Sequence, residues 1–148
     1  MVREAVEADL DGLLMLYTQL HGNVLPEDSP ALHALWRRII DDPGHHIVLA
    51  EADGIVVSSC VLVVIPNLTH GQRPYALIEN VVTHEAYRRK GYATACLNHA
   101  KELAMQESCY KLMLLTGSKE EGTLRFYEQA GYNRRDKTAF ICWLQPHT

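Results

Sequence analysis

The sequence predicts a single α/β domain with a mixed β-sheet, and the distribution of its apolar residues supports this prediction. Apolar residues recur at helical spacing in several segments, and short runs rich in β-branched and aliphatic residues lie between them. The segments follow the order β-α-α-β-β-β-α-β-α-β, which is typical of helices that cover a mixed sheet. A length of 148 residues suits one domain with its own core, and we expect residues 1–148 to form it.

Two amphipathic helices are predicted in the first third of the chain. The first has Asp9 as its N-cap and apolar residues at helical spacing from Leu10 to Leu20, and Gly22-Asn23 ends it. The second begins at Ser29-Pro30, because serine is a favoured N-cap and proline is favoured in the first turn. It stops at Asp42-Pro43-Gly44.

Six segments have the composition of strands. They are Arg3 to Val6, His46 to Ala52, Ile55 to Ile65, Tyr75 to Thr83, Tyr110 to Thr116, and a region from Tyr132 onward in which Thr138 to Leu144 is the clearest part. Asp53-Gly54 predicts a tight hairpin, and Pro66 to Pro74 reads as a polar loop. Two further helices are predicted: one follows Gly91, and the other runs from Glu120 to Ala130 with Gly131 closing it.

Composition excludes several classes of protein. The chain has 14 Lys+Arg against 18 Asp+Glu, and this net charge of −4 argues against a nucleic-acid partner. The apolar stretch from Ile55 to Ile65 is too short to span a bilayer, and the start has no basic segment followed by an apolar one. Four scattered cysteines form no C-x-x-C pair or Cys/His cluster. We therefore expect a cytoplasmic protein with reduced thiols, no metal and no membrane partner.

The stretch from Glu79 to Thr94 is the part of the sequence that says most about chemistry. Here a predicted strand turns through Arg88, Arg89 and Lys90, and then Gly91, into an amphipathic helix. Unpaired N–H groups at a helix start, with cations beside them and no bulky side chain in the way, suit a pyrophosphate. A solvated basic turn is the alternative reading of this segment.

A second glycine-rich segment, at residues 117–123, has the glycine spacing of a nucleotide-binding P-loop. It lacks the lysine after the second glycine, and Glu120 and Glu121 lie inside it. Since these carboxylates would repel phosphate, we reject a site of this kind.

Two motifs together carry a resemblance to a known family. Arg88-x-x-Gly91-x-Ala93, between a strand and a helix, resembles the acetyl-CoA motif of the GNAT superfamily of N-acetyltransferases. The run from Arg125 to Tyr132 (Arg-Phe-Tyr-Glu-Gln-Ala-Gly-Tyr) resembles the second signature of that family. The resemblance covers nearly the whole chain and implies a GNAT-like acyl-CoA N-acyltransferase fold with a mixed, twisted sheet. Ile78 to Val82 and Cys109 to Met113 resemble the glucosamine-phosphate N-acetyltransferase branch in particular.

The resemblance implies acetyl-CoA as co-substrate and a place for it. In this family the strand before the basic turn splays from its neighbour, so that free backbone groups pair with the pantetheine arm. One backbone N–H there polarises the thioester carbonyl. These groups correspond here to Val81, Val82 and Thr83. The pyrophosphate is implied to lie on the amides of Arg88, Arg89, Lys90, Gly91, Tyr92, Ala93 and Thr94.

The resemblance also implies two catalytic residues. Glu79 stands at the family's usual place for a carboxylate that accepts the proton of the attacking amine, and the alternative is a salt-bridged strand residue. Tyr127 matches the tyrosine that donates to the departing CoA thiolate, and the alternative is a packed aromatic residue. An asparagine that contacts CoA in many members is replaced here by Glu120, and one typical of the glucosamine-phosphate branch by Thr123.

Three functional hypotheses follow. The first is transfer of an acetyl group from acetyl-CoA to a primary amine on a small molecule by direct attack. The acceptor would lie against the two N-terminal helices and the loop from Pro66 to Pro74. The second is a protein or peptide N-acetyltransferase, and the third is a non-catalytic acyl-CoA-binding regulatory module on the same fold. The resemblance also allows a homodimer through pairing of the last strands.

Overall fold

The structure, a computed structural model, describes residues 1–20 and 22–147. Its chain divides into two units, Met1–Leu114 and Leu115–Thr148. The elements of the first unit are β1 (Val2–Glu4), α1 (Leu10–Tyr17), α2 (Pro30–Asp41), β2 (His45–Ala52), β3 (Ile55–Ile65), the four-residue helical turn α3 (Thr69–Gln72), β4 (Tyr75–Thr83), α4 (Tyr92–Gln106) and β5 (Leu112–Leu114). The second unit contains α5 (Glu121–Gln129). The predicted mixed α/β fold is confirmed.

The five strands of the first unit form one sheet in the order β1-β2-β3-β4-β5. Neighbouring strands from β1 to β4 are antiparallel, whereas β4 and β5 are parallel. A parallel pair needs a crossover, and α4 supplies it between β4 and β5. The start of α4 therefore follows directly from the end of β4, which brings the basic turn to this edge of the sheet.

The sheet has a helical layer on each face because adjacent strand residues point to opposite sides. Ile47 and Val61 form a buried cluster with Leu10, Leu13 and Trp36 of α1 and α2. On the other face α4 packs against β2, β3 and β4, and it buries Cys96, Leu97, Ala100 and Ala104 there.

The predicted hairpin and the start of the second helix are confirmed. Asp53 and Gly54 both have positive φ (53° and 76°), as a two-residue type I′ turn requires. The Ser29 hydroxyl accepts a hydrogen bond from the Leu32 N–H at 3.1 Å, which caps α2.

The start of α1 is confirmed in position, with Asp9 as its N-cap, but the capping bond and the end of the helix differ from the prediction. The Asp9 carboxylate makes no capping bond to α1; it accepts from the Val6 N–H at 2.7 Å and pairs with Arg3. Because Val6 belongs to this short turn, the opening strand is Val2–Glu4 and not the predicted Arg3 to Val6. The helix ends at Tyr17 and not at Gly22-Asn23, because the Asn23 side chain donates to the Tyr17 carbonyl at 3.0 Å. His21 lies outside the described residues.

In the second unit, α5 ends as its sequence predicts. Gly131 has a φ of 101°, the Gly131 N–H donates to Glu128 O at 3.0 Å, and the Tyr132 N–H donates to Tyr127 O at 3.0 Å. These two bonds form a Schellman motif. Arg134 adds ion pairs to Glu121 at 2.6 Å and to Glu128 at 3.0 Å.

The predicted strand from Thr138 to Leu144 is wrong. These residues form no regular element, and the side chains of Phe140 and Leu144 are 91% and 96% exposed. A β-prone sequence becomes a strand only when another strand supplies hydrogen bonds, and none of the described strands pairs with this segment.

Candidate active site

A β-bulge near the end of β4 shapes the candidate site. Ser59 pairs with Val82 and Val61 pairs with Glu79, so two residues of β4, Asn80 and Val81, lie opposite one residue of β3. Asn80 has a φ of 52°, a left-handed conformation that asparagine tolerates better than most residues. Because of this kink, the consecutive residues Glu79 and Asn80 both line the same groove, whereas a regular strand would turn them to opposite faces.

Next to the bulge, β4 loses its second neighbour. The parallel pairing with β5 runs over three residue pairs and stops at Ile78 and Leu114. This is why the predicted strand from Tyr110 to Thr116 is formed only at Leu112–Leu114. Beyond Ile78, the sheet pairing of β4 within the first unit is with β3 alone. Val81, Val82 and Thr83 therefore stand on a stretch of strand whose other edge has no sheet partner among the described residues.

The first turn of α4 follows this stretch and carries no side-chain cap. Gly91 is its N-cap with a φ of 87°, and no side chain accepts a bond from the first amides of the helix. A Cβ placed on Gly91 would meet nothing within 4 Å, so no neighbouring atom crowds the helix start at this residue. Uncapped amides at the positive end of the helix dipole favour an anion at this position.

The three cations before Gly91 are free to meet such an anion. None of the ion pairs found among the described residues includes Arg88, Arg89 or Lys90. The Arg88 Nε donates to Thr83 O at 3.2 Å, and the Lys90 ammonium lies 5.4 Å from the centre of the Tyr87 ring. These contacts fix the turn but leave its positive charge without a carboxylate.

A groove of about 400 Å³ opens on the face of the sheet that α1 and α2 cover. Its lining residues come from both helices and from β2, β3 and β4, and they are Leu10, Leu13, Leu14, Tyr17, Leu32, Leu35, Trp36, Ile39, His45, Ile47, Val61, Val63, Glu79 and Asn80. The helices therefore line the groove as expected for the acceptor side, whereas the predicted loop from Pro66 to Pro74 contributes no residue to it.

Tyr17 joins α1 to the bulge, a role that its place in the helical pattern did not predict. Burial raises the pKa of the Tyr17 phenol to about 12, and hydrogen bonds to the side chains of Asn80 and Ser59 offset part of that effect. The phenol is therefore protonated at neutral pH and can hold the Asn80 side chain in place. In the sequence, Asn80 within an otherwise regular strand pattern was the feature that could have indicated the bulge.

Glu79 is exposed and is one of the residues that line the groove. It belongs to none of the ion pairs found among the described residues, so the structure gives no support to the salt-bridged alternative. Its carboxylate is therefore available to a cationic group in the groove.

Tyr127 belongs to the second unit and lies on α5. Its ring makes edge contacts with Phe126, at a centroid distance of 5.1 Å, and with Tyr132, at 6.3 Å. Glu120 is the N-cap of α5 without a side-chain capping bond, and the Thr123 N–H donates to its carbonyl at 3.1 Å. These contacts are those of the alternative in which Tyr127 is a packed aromatic residue, and they also orient its ring.

Three further features concern ligands and surroundings. Among residues 1–20 and 22–147, no group of three His, Cys, Asp or Glu side chains could hold a metal ion. All four cysteines carry free thiols. No helix in this part of the chain is long and apolar enough to cross a membrane.

Comparisons with known proteins agree with the fold and the motifs. The model of the Acetyltransferase (GNAT) family matches residues 10–132. A solved structure of a putative acetyltransferase from Agrobacterium tumefaciens is 39% identical with a TM-score of 0.89, over 97% of this chain and 99% of that one.

Two curated relatives are named for small amine acceptors. A glucosamine 6-phosphate N-acetyltransferase of Trypanosoma brucei brucei is 32% identical over 59% of this chain, and the match spans 57% of the relative's length. An aminoglycoside N(6')-acetyltransferase of Serratia marcescens is 27% identical over 89% of this chain and 90% of its own. The family match covers most of the sequence and reaches into both units. The chain belongs to the GNAT family of acetyltransferases.

Proposed function

We propose that this acetyltransferase moves an acetyl group from acetyl-CoA to a primary amine on a small molecule, by direct attack of the amine on the thioester. The observation that carries the proposal is one continuous arrangement in the first unit. The bulged end of β4, with one edge open, leads into the uncapped and positively charged start of α4, and a groove that Glu79 helps to line lies beside it. In this proposal residues 1–148 act as one catalytic domain.

Acetyl-CoA would bind along β4 and α4. The pantetheine arm would pair with the backbone of Val81, Val82 and Thr83 as an added strand does, and the open edge supports this. The pyrophosphate would accept hydrogen bonds from the amides between Arg88 and Thr94, while the unpaired cations balance its charge. A backbone N–H of β4 would stabilise the oxyanion that forms on the thioester carbonyl.

The chemical step forms a C–N bond and breaks a C–S bond. An alkylamine with a pKa of about 10.4 is about one part in a thousand or fewer neutral at pH 7, so a proton must leave before the nitrogen can attack. Glu79 would accept that proton directly or through water. The electron pair of the C–S bond leaves with sulfur, and Tyr127 would donate a proton to the resulting thiolate. The nitrogen loses a second proton as the amide forms, and this proton would pass through solvent and restore the Tyr127 phenol.

The experiment that tests this proposal measures release of the CoA thiol from acetyl-CoA across a panel of small primary amines. Turnover that depends on an amine supports it. Acetyl-CoA binding without turnover for every small amine would overturn it and favour a regulatory module. Turnover only with peptides would favour the peptide N-acetyltransferase.

A further inference from the structure

The lining of the groove is unusually apolar for a site that takes a sugar. Ten of its fourteen lining residues are Leu, Ile, Val or Trp. The polar ones are Tyr17, His45, Glu79 and Asn80. A bound polyol or sugar leaves its hydroxyls without partners in such surroundings, and each buried, unpaired hydroxyl costs binding free energy.

The groove also offers nothing to an acceptor that carries a phosphate. No lysine or arginine lines it, and a buried phosphate needs a cationic or multiply donating partner. Burial lowers the pKa of His45, so its imidazole is neutral at neutral pH. Glu79 is the one charged residue of the lining, and a carboxylate attracts an ammonium group.

The apolar walls are held in place by the fold. The Trp36 indole N–H donates to the Glu7 carbonyl at 3.0 Å, which orients the ring, and Leu10 and Leu13 belong to the buried cluster. Leu35 is 52% exposed and lines the groove, so part of its surface can still be covered by a ligand. A volume of about 400 Å³ lies within the range of about 300–1,000 Å³ that small-molecule sites have.

We infer that the acceptor is a primary amine on an apolar alkyl or aryl body, whose body lies between α1 and α2 and whose nitrogen lies at Glu79. This inference rests on the proposed function and narrows it to one substrate class. It departs from the sugar acceptors for which the two curated relatives are named.

The test is the chain-length dependence of kcat/KM for straight-chain primary amines from propylamine to hexylamine, with phenylethylamine and glucosamine 6-phosphate alongside. The full-length protein and saturating acetyl-CoA are used, and the CoA thiol is followed. Each methylene that enters the groove is expected to raise kcat/KM about fourfold. Glucosamine 6-phosphate is expected to react more slowly than hexylamine.

A pair of variants locates the effect. Leu35→Gln puts a polar group at the rim of the groove and is expected to flatten the chain-length series. Met105→Gln is the matched control, because Met105 is 69% exposed on α4 and does not line the groove. This control should keep the full slope.

The outcomes separate the inference from the proposed function. Turnover with a flat alkyl series, or with glucosamine 6-phosphate as the better substrate, overturns the inference and leaves the proposed function standing. Absence of turnover with any amine overturns the proposed function, and calorimetric titration with the same amines then decides the inference. Affinity that rises with chain length and is weakened by Leu35→Gln supports it, and length-independent affinity overturns it.

Discussion

Glu79 and Tyr127 are the two side chains to which the proposed function assigns proton transfer. Glu79 owes its position to a single residue, because the left-handed Asn80 turns the strand so that both side chains line one groove. Tyr127 is oriented by its aromatic neighbours on and after α5. Each residue has a substitution that removes the proton-transfer group and preserves nearly the same shape.

Glu79→Gln is expected to lower kcat by about a hundredfold near neutral pH, because the amide cannot accept the amine proton. The deficit should shrink as the pH rises towards the pKa of the amine, since more substrate is then already neutral. Rate–pH profiles of both proteins check this, with Glu102→Gln on the exposed face of α4 as control. A loss that is equal at every pH would contradict a role as base.

Tyr127→Phe is expected to lower kcat by roughly a hundredfold while the affinity for acetyl-CoA stays nearly the same. The ring and its edge contacts remain, and only the proton for the thiolate is lost. Steady-state kinetics and equilibrium titration with CoA separate these two effects. Full activity in this variant would assign Tyr127 to packing alone.

Asp9 carries a prediction about stability. Its carboxylate accepts two hydrogen bonds from Arg3, at 2.7 and 2.9 Å, and these bonds chiefly hold its pKa below the ordinary value. Asp9→Asn is expected to lower the free energy of unfolding by about 1–3 kcal/mol at neutral pH. Because the pKa is lowered in the folded state, this contribution is present above an aspartate's unfolded pKa of about 3.9 and is lost as the pH falls below it.

Urea unfolding of wild type and Asp9→Asn over a range of acidic pH measures that difference. The two proteins should converge as the pH falls. Asp11→Asn is the control, because Asp11 is exposed and belongs to none of the ion pairs found among the described residues. A gap that stays constant into acid would show that Asp9 stabilises the fold by some means other than its charge.

At the scale of elements, the proposed function places the phosphates of acetyl-CoA at the start of α4. Replacing both Arg88 and Lys90 by Glu is expected to raise the KM for acetyl-CoA about ten- to a hundredfold, through loss of charged contacts to phosphate. The KM of the wild type should rise with salt concentration, and that of the variant should depend on salt less. Lys101→Glu, which reverses an exposed charge farther along the same helix, is the control. An unchanged KM in the double variant would place the phosphates elsewhere.

The elements also show what local sequence can and cannot predict. The hairpin at Asp53-Gly54 and the cap at Ser29 depend on the conformational preferences of one or two residues, so they could be predicted. The bulge at Asn80 was not predicted, because the pairing with β3, which the sequence of β4 alone does not specify, determines where an extra residue is accommodated. The segment from Thr138 to Leu144 has strand composition, but composition does not say whether a partner strand is available.

At the scale of the molecule, the residues proposed for the donor are adjacent in the chain, whereas those that line the groove are not. Strand, basic turn and helix are contiguous in the chain, and the structure retains that contiguity from Glu79 to Thr94. The groove is assembled from α1, α2 and three strands, and its lining residues are spread from Leu10 to Asn80. The helical spacing of the apolar residues from Leu10 to Leu20 predicted a buried face but not a groove beside it.

The charged residues behind the net charge of −4 are unevenly distributed. Three of the 14 basic residues stand together at positions 88–90, and the groove beside them has a carboxylate as its only charged lining group. In the proposed function, the positive turn binds the donor and the groove binds an acceptor that carries an ammonium group.

The most direct test of the central claim is to follow the acetyl group itself. The full-length protein is incubated with acetyl-CoA labelled in the acetyl carbon and with hexylamine, and the products are analysed by mass spectrometry. The account predicts labelled N-acetylhexylamine together with an equal amount of free CoA, and much less product from Glu79→Gln. Acetyl-CoA that binds to the protein while neither hexylamine nor any other small primary amine tested in the same way acquires the label would contradict it.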